Sequence, residues 1–424
     1  MSKNKYLFPF ILITLLFFLW AFLHNLNPIL IPHLKKACQL TDTQSSLIDF
    51  PVYLAYAVIA IPAGLFVHKY GYKKSILLGL ALFAAGTLLF IPAASARSYI
   101  FFLGALFVSA SGATFLETVA NPYASLLGDP SKSEQRLNFA QSFNGVGAFL
   151  APIIGGMFIL SGIEYSPEQI QSMSPTALDS YLQSEANGVK LPYLIISLGV
   201  FFVFLLFLFT KLPEVKEPGS EVHGTEFSLS VFKYSHVKWA VISEFCYVGA
   251  QVGVGSFFIR LTKSLVGMPE KHAAQFWWGS IAMVGFMVGR FTGTFFMKYI
   301  KPAKLLSIYA IINISLLAIA IMVKGYTAVY AVCATMFFMS IMFPTIFALG
   351  IKDLGEETKF ASSFLVMAII GGAFCPFLMG LISDASGSML LAYIVPLISF
   401  IPILYFGLKG HKVVQPTVVQ TVKA

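Results

Sequence analysis

Charge is scarce in this chain. Only 11% of its 424 residues are Asp, Glu, Lys or Arg, against roughly 25% in an ordinary soluble domain. That is too little to wet the surface of a soluble protein of this length. Cysteine is scarcer still: Cys38, Cys246, Cys333 and Cys375, with no C-x-x-C pair and three of the four inside apolar runs. The pattern argues against a disulfide framework and against a zinc site. No metal cluster, nucleophile–base pair or phosphate loop stands out, so a membrane-embedded enzyme lacks its chemistry, and neither metal nor cofactor is expected. Acidic residues number 19 against 28 basic ones, a formal charge of +9. The lysines sit in short connections between apolar runs, as cytoplasmic loops require, so no nucleic-acid partner is expected.

What the chain has is apolar length. Hydrophobic residues make up 57% of it and the mean hydropathy is +0.80. Runs long enough to cross a bilayer as helices recur from end to end. Twelve are expected, near 8–31, 46–67, 75–94, 99–127, 138–161, 191–210, 237–262, 273–297, 303–323, 327–351, 361–383 and 389–408. The fold class is therefore an all-α membrane protein with twelve transmembrane helices, and the lipid bilayer is its first partner. Lys3 and Lys5 before the first run imitate a signal peptide, but no small-residue cleavage site follows, and a retained first helix is expected. Twelve spans place both termini on one side. Nineteen Lys and Arg residues then fall on that side against seven on the other, which makes the termini cytoplasmic. The connection from Gly162 to Lys190, with Glu164, Glu168, Asp179 and Glu185, falls outside.

The chain also repeats itself. The run from Gly64 to Tyr70 resembles that from Gly293 to Tyr299; Pro122, Leu127 and Gly128 recur as Pro344, Leu349 and Gly350; Ala140, Ser142 and Phe143 recur as Ala361, Ser363 and Phe364. Three ordered matches imply two six-helix bundles in parallel register. The expected division is 1–211, a cytoplasmic linker 212–235, a second bundle 236–409 and a tail 410–424. Such repeats put a binding site at the midplane between halves. A receptor would need an output domain, and none is recognisable after Lys409.

One residue stands out within this apolar background. Glu117 lies in Phe115-Leu116-Glu117-Thr118-Val119-Ala120-Asn121-Pro122, deep in the fourth run. An ionisable group there costs about 2.5–3.5 kcal/mol on insertion scales, and such groups face cavities and handle polar substrates or protons. The plainer role is a structural carboxyl paired with amides. Asn121 shares a helix face with Glu117. Pro122 has no N–H and releases the carbonyl of Thr118. Gln141 and Asn144 share a face with Asn138. Pro28 is expected to release the carbonyl of His24 in the same way, within a helix that carries Asn25 and Asn27. Amides and a carboxyl can hydrogen-bond the hydroxyls of a polar substrate, and Trp20 can stack on an apolar face of one. A buried carboxyl can also load and unload a proton near neutral pH.

Two resemblances sharpen this. Gly64-x-x-x-His68-Lys69-x-Gly71-x-Lys73-Lys74 resembles the Gly-x-x-x-Asp-Arg-x-Gly-Arg-Arg loop of the major facilitator superfamily, with His68 where the pattern has Asp. The segments Phe18–Pro32, Glu117–Pro122, Leu137–Asn144, Gly289–Thr294 and Phe343–Lys352 resemble signatures of its fucose/glucose/galactose:proton symporter family, across nearly the whole chain. The resemblance implies import of a hexose or 6-deoxyhexose, L-fucose first, with glucose, galactose and N-acetylglucosamine as alternatives. It implies that Glu117 carries the proton and contacts the sugar, and that Trp20, Asn25, Gln141 and Asn144 line the sugar cavity, with Phe343 beside it. The family has an Asp where this chain has Pro28. Coupling then runs through Glu117 alone, or another group substitutes, His24 being the nearest because imidazole titrates near neutrality, or the protein is an uncoupled facilitator.

Other polar residues carry further expectations. Glu244, Tyr247 and Gln251 share one face of the seventh span, as a second cavity wall, unless Glu244 is solvated at the cytoplasmic end. Arg290 is a candidate gate partner but is expected to snorkel or to pair with a loop carboxylate, and Asp49 and Asp384 are expected to be solvated. Gly64, Lys69, Gly71 and Lys73, with Pro28 and Pro122, are the candidate gating residues. A single chain is expected to suffice.

Overall fold

The computed structural model describes residues 6–40, 48–159, 167–213, 229–268 and 272–413. Among these residues every regular element is helical. Nine helical stretches are long and apolar enough to span a bilayer. One of them, Phe50–Ala96, holds two spans, because Gly71 breaks the helix Phe50–Leu88 with φ +80°. That is backbone that glycine adopts without strain. The helix Ser133–Ile159 and the π-then-α run Ala273–Ala282 and Met283–Phe296 supply two more. Twelve crossings result.

Polarity is inverted relative to a soluble domain. Phe209 is 81% exposed and Ile100 79%, whereas Asn121 and Glu244 are 0% exposed. Apolar side chains face outward because lipid is their solvent, and polar groups turn inward to find partners.

The chain forms two compact units, Met1–Leu127 with Ala140–Glu214, and Gly128–Phe139 with Val215–Ala424. In the first, the helix Tyr99–Leu126 crosses Phe50–Leu88 at small residues. A Cβ on Gly112 would lie 2.4 Å from the backbone N of Phe83, and one on Gly86 would lie 2.2 Å from that of Ser109. Without a hydrophobic drive between helices in lipid, this backbone contact is what holds them. It also brings Glu117, beyond Gly112 on the same helix, against Tyr56.

Three expectations change. The first run is two helices, Leu7–His24 and Asn27–Ala37, with a turn between them. Pro28 falls in the first turn of the second helix, where a missing N–H is harmless, so it does not open the carbonyl of His24 inside a continuous helix. The run 327–351 is likewise divided into Tyr326–Met339 and Met342–Gly350. The acidic connection before Lys190 carries a helix, Pro175–Asn187, capped by Ser174, whose Oγ accepts from the Ala177 N–H at 3.3 Å. That helix is held to its unit by Lys36 Nζ to Glu185 at 3.1 Å and Arg97 to Asp179 at 2.8 Å. Residues 214–228 and 414–424, which hold most of the expected linker and tail, lie outside the described residues, as does Glu164.

Candidate functional site

The structure buries Glu117 to 6% exposure. Its Oε2 accepts a hydrogen bond of 2.8 Å from the Tyr56 hydroxyl. One turn on, Asn121 Nδ2 donates to the Glu117 backbone carbonyl at 2.8 Å, and Asn121 Oδ1 accepts from Gln141 Nε2 at 2.9 Å. A carboxyl, an amide and a second amide are thus tied together across the helices Tyr99–Leu126 and Ser133–Ile159. Pro122 follows this cluster within its helix. Asn144, one turn beyond Gln141, is half-buried. Asn138 falls in the second unit, where its amide donates to the Glu134 carbonyl at 2.8 Å and to Thr345 Oγ1 at 3.1 Å.

Trp20 is buried, with its ring 4.4 Å from that of Phe17. It shares a narrow crevice with His24, Asn27, Tyr56, Ser109 and Tyr193. His24 is exposed toward the end of its helix. Asn25 is half-buried, and its amide donates to Ala21 O at 2.8 Å within its own helix. Asp49 is not simply solvated: it is half-buried and accepts from Asn27 Nδ2 at 3.2 Å. Asp384 is exposed.

Gly64 is buried, Lys69 is exposed, and Lys73 caps a helix end, donating from Nζ to Leu208 O at 2.9 Å. A cation at a helix C-terminus is the favourable sign.

The second unit holds Gln251, half-buried, and Phe343, buried with its ring 6.4 Å from that of Tyr247. Glu244 is 0% exposed, which removes the solvated alternative for it. Arg290 is corrected as well. It does not snorkel: it is 5% exposed, its Nε donates to Ser340 O at 2.8 Å, and its guanidinium lies 4.7 Å from the Phe286 ring. Pro344 explains the bond, because it has no N–H to offer the carbonyl four residues back. Gly289 allows it sterically, since a Cβ there would meet Phe337 O at 2.5 Å. Sequence reasoning missed Tyr56 altogether. Its signal was present: Asp49, Tyr53 and Tyr56 recur at helical spacing in an otherwise apolar helix.

The described residues hold no group of three or more His, Cys, Asp or Glu side chains placed to bind a metal. Residues 10–369 match the Major Facilitator Superfamily. The chain belongs to the major facilitator superfamily. This facilitator is 42% identical over 412 residues to the L-fucose-proton symporter of Escherichia coli, covering 96% of the chain and 94% of the relative. It is 41% identical over 417 residues to a glucose/galactose transporter of Brucella abortus, covering 97% and 96%. Its fold superposes on the crystal structure of a major facilitator superfamily transporter, FucP, in the outward conformation with a TM-score of 0.88, at 40% identity, covering 95% of this chain and 99% of that one. A proton:xylose symporter, 14% identical with a TM-score of 0.70, shares the fold. The architecture is the twelve-helix facilitator fold of two six-helix bundles.

Proposed function

We propose that the protein is a proton-coupled sugar symporter that imports a hexose or 6-deoxyhexose, L-fucose first, by alternating access. The observation that carries this reading is Glu117, a carboxyl buried in an apolar helix yet hydrogen-bonded by Tyr56. Relatives that transport fucose with protons, or glucose and galactose, support it. Glu117 loads the proton and accepts a sugar hydroxyl. Trp20, Asn25, Gln141 and Asn144 contact the sugar from the first bundle, and Phe343 and Gln251 from the second. The bundles comprise 1–211 and 236–409, joined by a cytoplasmic linker and followed by a short tail. The protein lies in a bacterial inner membrane with both termini cytoplasmic, and it works as a monomer without a cofactor. Gly64, Lys69, Gly71, Lys73, Pro28 and Pro122 serve the conformational change.

A radiolabelled panel of L-fucose, D-glucose, D-galactose and N-acetylglucosamine in proteoliposomes, with and without an inward-acid gradient, tests the reading. Wild type accumulates its sugar only with the gradient. Glu117→Gln abolishes accumulation and sugar-induced alkalinisation while leaving some sugar counterflow. Accumulation by Glu117→Gln would remove Glu117 as the carrier. Pro28, where the family has Asp, favours a second reading, an uncoupled facilitator. Sugar exchange in wild type without any alkalinisation would establish it.

A further inference from the structure

The crevice beside Trp20 has a chemistry that sugar binding does not use. It measures about 20 Å³, room for a water molecule and too small for a sugar ring. The Tyr193 hydroxyl lines it, fully buried, with no hydrogen-bond partner among the described residues. The Tyr193 ring is fixed by stacking on Phe90 at 3.8 Å, so the hydroxyl cannot swing out to find one. A buried hydroxyl without a partner costs about 1–3 kcal/mol, and a water in the crevice removes that cost. Tyr56 lines the same crevice while its hydroxyl bonds Glu117. At the mouth, Asn27 links the crevice to the Asp49 carboxylate. Asp49, Tyr53 and Tyr56 follow one face of their helix.

We propose that this crevice holds water and delivers protons to Glu117 through the Tyr56 hydroxyl, by a path separate from the sugar contacts at Gln141 and Asn144. The inference rests on Glu117 being the proton carrier. The transfer balances: a hydrated proton in the crevice is given to the Tyr56 oxygen as the proton already on that oxygen passes to Glu117 Oε2. Tyr56 is neutral before and after, and rotation of its hydroxyl resets the relay. The mouth lies where Leu7–His24 ends and Phe50–Leu88 begins, the outer end in the proposed topology. The titratable groups that face this path are Asp49, Tyr53 and Tyr56 on Phe50–Leu88, His24 on Leu7–His24 and Tyr193 on Lys190–Phe209. The 90–96 helix contributes none.

The test uses the full chain in proteoliposomes, reading sugar-driven alkalinisation and sugar counterflow in the same preparation across external pH. Tyr56→Phe keeps the ring and deletes the relay. Ala113→Leu fills the crevice and leaves Tyr56 in place. Each is expected to slow proton uptake about tenfold and to flatten its dependence on external pH, while counterflow falls less than twofold. If either variant does not yield folded protein, the other decides. Wild-type alkalinisation rates in a folded variant of either kind would overturn the water path. With Glu117→Gln inactive in alkalinisation, that result leaves the carrier in place; alkalinisation by Glu117→Gln would instead remove the carrier itself.

Discussion

Asn121 works in two directions at once. Its oxygen accepts from Gln141 and its amide holds the Glu117 carbonyl, so the Gln141 amide and the Glu117 backbone share one side chain. Asn121→Ala removes two buried hydrogen bonds, each worth about 0.5–1.5 kcal/mol net, and should lower unfolding stability by about 1–3 kcal/mol in detergent. Asn121→Asp keeps the acceptor but loses the donor and puts a second carboxyl one turn from Glu117. It should impair coupling more than Asn121→Ala does, as read by alkalinisation per sugar counted. In the second unit, Arg290→Met leaves Ser340 O without the donor the structure gives it, a penalty of about 1–3 kcal/mol. Pro344→Ala gives that carbonyl an in-chain donor and should recover part of the loss. A double-mutant cycle measures the recovery, and strict additivity would mean that Pro344 has no part in the Arg290 bond.

Helices and their ends carry the next level of specification. Spans were legible because a bilayer demands about twenty apolar residues and little else. Breaks within them were not. Nothing in hydropathy distinguishes Pro122, tolerated inside a helix, from Pro28, which begins one; the difference lies in where each helix starts, since a first turn has no use for the missing N–H. Glu117, Trp20 and Gln141 were legible because polar or amphipathic groups are conspicuous in apolar runs. Tyr56 and Arg290 were not, because tyrosine reads as an interfacial aromatic and arginine as a snorkelling cation until a partner fixes each. The helix Pro175–Asn187 shows what a short amphipathic element can add. It docks through Glu185 on Lys36, with the carboxylate 4.0 Å from His33 Nδ1. Burial holds the His33 pKa below its ordinary value, although Glu185 pulls the other way. The unfolded chain therefore binds the proton first, and this docking weakens as pH falls below about 6.5. Hydrogen exchange across 175–187 should be faster at pH 5 than at pH 7.5 in wild type, and the difference should shrink in His33→Gln.

At the scale of the whole molecule the question is how many protons accompany each sugar. A single charge moving down 100 mV supplies about 2.3 kcal/mol, enough to concentrate a neutral sugar roughly fiftyfold. Two charges would square that ratio. The first unit offers one carboxyl among the proposed sugar contacts, Glu117, because Pro28 stands where the family has its second. The second unit offers Glu244, fully buried, on the same helix as Tyr247 and Gln251. Glu244 is not among the proposed sugar contacts. The expected ratio is therefore one proton per sugar. A reversal-potential assay measures it directly: sugar flux should vanish where the sugar gradient balances one proton-motive unit. Balance at two units would make Glu244 a second carrier, and Glu244→Gln would then restore a ratio of one. With a ratio of one in wild type, Glu244→Gln should leave the ratio alone and change only rate or affinity.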